Sequence, residues 1–213
     1  IVEVNPNMPR VFGDSLLHID EVDAIVEHAS PLPEVAEAPP TDADLGIAAH
    51  VAAHIPDGAT LQIGAGRVPA AVAAALGDHR DLGIHSALFS SAFVPLIESG
   101  VITGRRKTLH PRRHVWTSAV GDAHTYAFMN DNPSMVSFPA DYVNDPQVIS
   151  RNDAMISVNA AIQVVSVHLL ADPFAYRNTL SAGTRYAVEK RFLPDTFTCR
   201  ADMAWLSLYQ LVV

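Results

Sequence analysis

Cysteine is almost missing from this 213-residue chain, and Cys199 by itself excludes an intramolecular disulfide and a thiolate zinc cluster. A reducing, cytoplasmic compartment is the expectation. Basic residues are scarce too: 14 Lys and Arg face 23 Asp and Glu, and the net charge of −9 argues against a general phosphate-backbone binder, so no nucleic-acid partner is expected. Charged residues make up 17% against 49% hydrophobic, which excludes intrinsic disorder. That length and composition suit one buried core, or one domain with part of another. Long apolar runs are lacking. The most apolar stretch, residues 155–171, is interrupted by Ser157, Asn159, Gln163, Ser166 and His168, so no membrane partner is expected, and no signal peptide is visible. The first residues, Ile1-Val2-Glu3-Val4-Asn5, alternate like an interior strand, which reads as a fragment or a truncated reading frame.

Four prolines between residues 31 and 40 give the composition of a stiff connector, and a domain boundary is expected there. Thr41 reads as an N-cap, followed by a helix with Leu45, Ala48, Ala49, Ala52 and Ile55 on its apolar face. Apolar runs at 59–63 and 82–86 flank a helix from about Pro69 to Gly77. This strand, helix, strand order implies a parallel pair. A helix before Gly100, a strand at 114–119, a helix at 123–129 and a strand at 155–159 continue the pattern. The fold class is therefore α/β, an open, mainly parallel sheet flanked by helices. Ligands in such sheets bind at the carboxyl ends of strands, where Gly64-Ala65-Gly66 and His85-Ser86-Ala87 are expected to converge.

Gln62, Gly64, Ala65 and Gly66 lie between a strand and a helix start, a place where glycine allows close backbone approach and the helix end favours an anion. Plain turn chemistry is the alternative. His85 and Ser86 are neighbours on a strand and point to opposite faces, so they are not expected to act as a nucleophile and base pair. Pro111 keeps His110 and His114 from sharing a regular helix, and both read as ordinary loop histidines. His50 and His54 are four apart but have no evident third ligand, so no metal site is expected. Arg105-Arg106-Lys107 and Arg112-Arg113 read as a solvated loop, with an anion contact as the alternative.

The segment Gly83-Ile84-His85-Ser86-Ala87-Leu88-Phe89-Ser90-Ser91-Ala92 resembles the Gly-Ile-His-Ser/Thr-Glu-Met-Phe-Ser-Asp-Gly loop of the acetyl-CoA hydrolase/transferase family, which includes the 4-hydroxybutyrate CoA-transferases. Further likenesses follow in order. They run from Glu3-Val4-Asn5-Pro6-Asn7-Met8-Pro9 through Asp57-Gly58-Ala59-Thr60, Gln62 to Pro69 and Lys107-Thr108-Leu109-His110-Pro111, to Asp141-Tyr142-Val143-Asn144-Asp145-Pro146 and Asn159-Ala160-Ala161. The resemblance implies an incomplete CoA-transferase-like domain of the NagB/RpiA type. Residues 1–30 would end a preceding domain, 31–40 connect, 41–164 form part of the C-terminal domain and 165–213 form a divergent tail. It also implies transfer of CoA between an acyl-CoA and a short-chain carboxylate through a glutamyl-CoA intermediate, with no permanently bound cofactor.

The nucleophilic glutamate of that family is replaced here by Ala87. The catalytic set is thus empty, apart from Asn144 as an oxyanion donor implied by the resemblance or, equally, a residue that stabilises its own turn. CoA contacts would come from Gln62, Gly64, Ala65, Gly66, His85 and Ser86. The family's glycine-rich CoA loop is also missing, since Gly183 is the one glycine beyond residue 164. Pro95 falls within the helix expected at 91–99, which should start late or be distorted. An inactive family member, a non-catalytic CoA-binding or subunit-interaction protein, and a nicotinamide-binding oxidoreductase domain are the alternatives. A homo-oligomer is compatible with each.

Overall fold

The computed structural model describes residues 1–35, 38–152, 155–161 and 164–170. At the start, β1 (Val2–Val4) leads to β2 (Phe12–Gly13) and then β3 (Ile25–Glu27), and β1 and β3 form a two-stranded parallel ribbon. The second strand leaves that ribbon for the edge of a larger sheet, so residues on both sides of the proline-rich connector contribute to one sheet. The connector is tied to the main body by Val35 N–H donating to the Gly121 carbonyl at 3.0 Å and by the Tyr126 hydroxyl donating to the Pro33 carbonyl at 2.6 Å.

The chain then alternates: α1 (Asp42–Ala52), β4 (Thr60–Ile63), α2 (Arg67–Ala74), β5 (Gly83–Ser90), α3 (Val94–Glu98), β6 (His114–Val120), α4 (Ala123–Met129), β7 (Met135–Ser137), α5 (Ala140–Val143), α6 (Pro146–Ile149), β8 (Met155–Ala161) and β9 (Val164–Leu170). The sheet order is β2-β7-β6-β5-β4-β8-β9, parallel throughout except for the antiparallel β8–β9 pair. All four residues of β4 are buried, as expected of a central strand covered on both faces. Leu61, Ile63, Val72, Leu76, Ile84, Phe89 and Phe93 form the middle of the core, and the rings of the last two sit 5.5 Å apart.

Thr41 caps α1 as the sequence predicts, in a capping box: its hydroxyl accepts from Asp44 N–H, and Asp44 Oδ2 accepts from Thr41 N–H at 2.8 Å. The buried face of that helix differs from the expected one. It consists of Asp44, Ala48, Val51 and Ala52, whereas Leu45 is 49% exposed and Ala49 lies outside. The box turns Asp44 inward, where Arg67 at the start of α2 lies 3.5 Å away, and this rotates the apolar stripe by one position. Pro95 is accommodated by a delayed start. A 3₁₀ turn covers Ser91–Phe93, and the proline occupies the first turn of α3, where no N–H is needed.

The face assignment is testable by urea unfolding. Val51→Ala is expected to cost about 2 kcal/mol and Leu45→Ala to stay within about 0.5 kcal/mol. Equal costs would place Leu45 back in the core.

Candidate active site

The last β4–β5 pair in the ladder is Leu61 with Ile84, while β5 continues beside β6 to Ser90 opposite Val120. His85-Ser86-Ala87 therefore lies inside a strand, and not at its carboxyl end as the sequence suggested. The carboxyl end nearby is that of β4. Where the β4–β5 ladder stops, the Ser86 hydroxyl donates to the Ile63 carbonyl at 3.2 Å, and Gly64 N–H donates across to the Val158 carbonyl at 3.1 Å. Ala65 and Gly66 follow on the surface, and Gly66 turns into α2 with φ of +122°, a conformation that favours glycine. Gln62 is buried in β4.

Along β5, side chains alternate between faces. His85 is fully buried and its Nε2 lies 3.0 Å from the Val143 carbonyl of α5, so that nitrogen carries the proton and donates. Burial, helped by the charge of Lys107, pushes its pKa down to about 4. Neutral His85 then presents Nδ1 as an acceptor, and this buried atom has no hydrogen-bond partner. Ser86 points to the opposite face toward β4, so the two side chains do not form a nucleophile and base pair. Ala87, half-buried, shares the His85 face, and its carbonyl accepts from the Ser118 hydroxyl at 3.2 Å.

Asn144 caps the C-terminal end of α5, which packs over β5 and β6, one residue after the carbonyl that holds His85. Its enclosed and unpartnered atom is Oδ1. A donor role toward an oxyanion would need the amide rotated to bring Nδ2 into that place.

Lys107 is the residue that the sequence reading misplaced. Arg105 and Arg106 are exposed, but Lys107 is 4% exposed, and its Nζ donates to the carbonyls of Ile84 and Arg113, each at 2.7 Å. The stem needs space, and Gly83 provides it: a Cβ there would collide with the Lys107 side chain. Burial pushes the ammonium pKa down to about 7. His114 is corrected as well. It begins β6 and is buried, with its pKa pushed down to about 4 by burial and then by Lys107. His110 is half-buried and shares a 2.7 Å hydrogen bond with the Tyr142 hydroxyl, beside the ring of Phe138.

His54 Nδ1 lies 2.8 Å from the His50 carbonyl, and among the described residues no group of three or more His, Cys, Asp or Glu side chains could hold a metal. No described helix is long and apolar enough to cross a membrane. A cleft of about 530 Å³ between residues 6–9, 29–34 and α4 holds none of the candidate residues.

Residues 121–177 match the model of the acetyl-CoA hydrolase/transferase C-terminal domain. The chain is 44% identical over 164 residues to 4-hydroxybutyrate coenzyme A transferase of Clostridium kluyveri, covering 77% of this chain and 38% of that protein. It is 40% identical to succinyl-CoA:cyclohexane-1-carboxylate CoA transferase of Geobacter metallireducens with the same coverage. The chain belongs to the acetyl-CoA hydrolase/transferase family. Solved members of similar structure include 4-hydroxybutyrate CoA-transferase from Porphyromonas gingivalis, with a TM-score of 0.71, 43% identity and coverage of 74% of this chain and 40% of that one. RipA from Yersinia pestis gives a TM-score of 0.72 at 42% identity, covering 78% and 40%. The chain thus spans a little over a third of the length of the curated family members it matches. The family likeness accounts for the α/β class and the mainly parallel sheet.

The buried groups set a pH dependence of stability. His85 and His114 hold pKa values of about 4 against an ordinary 6.5, so below 6.5 the unfolded chain binds protons that the folded chain refuses. The urea midpoint is expected to fall as pH drops from 6.5 toward 4. Lys107, at about 7 against 10.5, adds a rise in stability across that upper window, because the unfolded chain keeps its proton there. Lys107→Met should abolish the upper rise and leave the acid limb in place. An upper rise that persists in Lys107→Met would refute its assignment to Lys107.

Proposed function

We propose that this chain carries the CoA-transferase scaffold without the transfer step. The inherited reaction is movement of CoA between an acyl-CoA and a short-chain carboxylate. A glutamate would attack the thioester, form an acyl anhydride with release of CoA thiolate, take CoA back at its own carbonyl as a glutamyl thioester while the first acid leaves as its carboxylate, and pass CoA to the second acid. The observation that carries the reading is Ala87. Its methyl group sits half-buried on β5, beyond the end of β4, where the family's sequence pattern has the nucleophile, and a methyl group cannot form either acyl bond. Loss of a nucleophile from a cooperating site costs on the order of 10⁶ in rate.

The Gly64-Ala65-Gly66 turn, with Gln62 behind it and Ser86 beside it, supports retention of a CoA-facing surface, and this favours a non-catalytic acyl-CoA binder as the second reading. The boundary proposed at residues 31–40 is supported by the β1–β3 ribbon, whose Val4, Ile25 and Val26 are about half exposed. Those residues suit a preceding domain, although β2 of the same segment joins the main sheet beside β7, and the expected end of the C-terminal domain at residue 164 falls short: β9 (Val164–Leu170) pairs with β8 in the sheet and the family match runs to residue 177. A cytoplasmic location fits the single cysteine.

Incubation with acetyl-CoA and a short-chain acid should give no CoA exchange and no hydroxylamine-trapped acyl-enzyme. Turnover at rates typical of an intact site would overturn the proposal, and calorimetric binding of acetyl-CoA without turnover would select the second reading. Ala87→Glu alone is expected to remain inactive, because the glycine-rich CoA loop is also missing from the sequence. Robust exchange by that variant would show that one residue is the whole deficit.

A further inference from the structure

The charges of this acidic chain are gathered into two opposed runs of equal length. Residues 104–113 carry Arg105, Arg106, Arg112 and Arg113 with no Asp or Glu among them, whereas residues 14–23 carry Asp14, Asp20, Glu21 and Asp23 with no Lys or Arg. All eight residues are exposed. Among the described residues none of the four arginines has a carboxylate partner, and on the acidic side Asp20 alone is paired, with His18 at 3.4 Å. Like charges held close together repel, so each run is stabilised by a counter-charge that its own surroundings do not supply.

The arginine loop is already fixed in shape. Arg112 N–H donates to the Gly104 carbonyl at 2.8 Å, which closes the loop and sets its two arginine pairs on adjoining arms, and the buried Lys107 anchors its interior. Arg106 donates to the Asp57 carbonyl at 3.1 Å and Arg113 to the Pro133 carbonyl, while the Asp57 carboxylate is engaged by Arg80 N–H. Little ordering is left to pay on binding. The two runs also lie toward opposite ends of the sheet: the loop leads into the amino end of β6, and the acidic run leaves the carboxyl end of β2, which is parallel to β6 through β7. They are placed to meet between copies and not within one. Leu16, Leu17 and Ile19, at 88%, 58% and 62% exposed, stand inside the acidic run and give such a contact apolar surface to cover.

We propose that copies of this chain associate head to tail, the arginine loop of one copy seated on the acidic segment between β2 and β3 of the next. The match in charge and length selects a second copy as the occupant, and the net charge of −9 works against a nucleic acid at the same loop. A contact between two different surfaces closes into a ring or continues as an open chain, so assembly is not limited to a dimer. The inference goes beyond the proposed function and needs neither CoA binding nor transfer.

The test is sedimentation velocity of the full chain at about 50 mM and about 500 mM NaCl, which shortens the reach of exposed charges roughly threefold. Concentration-dependent association is expected at low salt, with the association constant falling at least about tenfold at high salt. Arg105→Glu with Arg112→Glu should remain monomeric at low salt, and so should Glu21→Arg with Asp23→Arg, each keeping the urea midpoint of the parent because the changed residues are exposed. Mixing the two variants should restore association, since each then meets its opposite charge on the other. A monomeric parent at low salt, association that strengthens with salt as a purely apolar contact would, association that survives either charge reversal, or a mixture that stays monomeric would each overturn the assignment. None of these readouts depends on CoA exchange, so failure here and failure of the transfer reading are separable.

Discussion

The constraint on which the candidate site depends is a step in the sheet. The fourth strand stops at Ile63, and its ladder with the fifth ends at Ile84, yet the fifth runs on for six more residues against the sixth alone. A parallel strand buried on both sides would leave no place for chemistry. The step releases one flank of β5 and brings it beside the Gly64–Gly66 turn. Ser86 marks the point of release by donating its hydroxyl to the Ile63 carbonyl in place of a further ladder bond.

A strand freed on one side needs other anchors. Lys107 supplies one at the base, where its ammonium or amine group binds the carbonyls of Ile84 and Arg113 and so joins the start of β5 to the residue before β6. His85 supplies another through the Val143 carbonyl, which fixes α5 over the sheet. Both are expensive groups to bury, and both are held toward their uncharged forms for that reason. The positional gain is that Ala87 and Thr117 are brought opposite each other in the part of β5 and β6 that α5 packs against.

Much of the fold is legible in the sequence because its signals are local. Thr41 caps a helix, residues 123–129 are a helix after Asp122, and the apolar runs at β4 and β5 are buried strands. What escapes is set by tertiary contact. The two-residue β2 and three-residue β7 are too short for any period and exist because each finds a neighbour in the sheet. Lys107 sits within a basic run that reads as solvated; only the missing side chain of Gly83, 24 residues earlier in the chain, makes room for it. The inward rotation of α1 follows from Asp44 serving its own cap, which the apolar pattern alone does not encode.

The candidate site is legible in a different way, through a motif that names positions without their surroundings. His85-Ser86-Ala87 is identifiable in the sequence, but Thr117 is not: it belongs to no motif and enters only through the register of β5 with β6. That register changes the meaning of Ala87. An alanine in a packed strand is unremarkable when its neighbours are apolar. Here the residue opposite is Thr117 and the residue two earlier on the same face is His85, and the buried Thr117 Oγ1 and His85 Nδ1 have no hydrogen-bond partner.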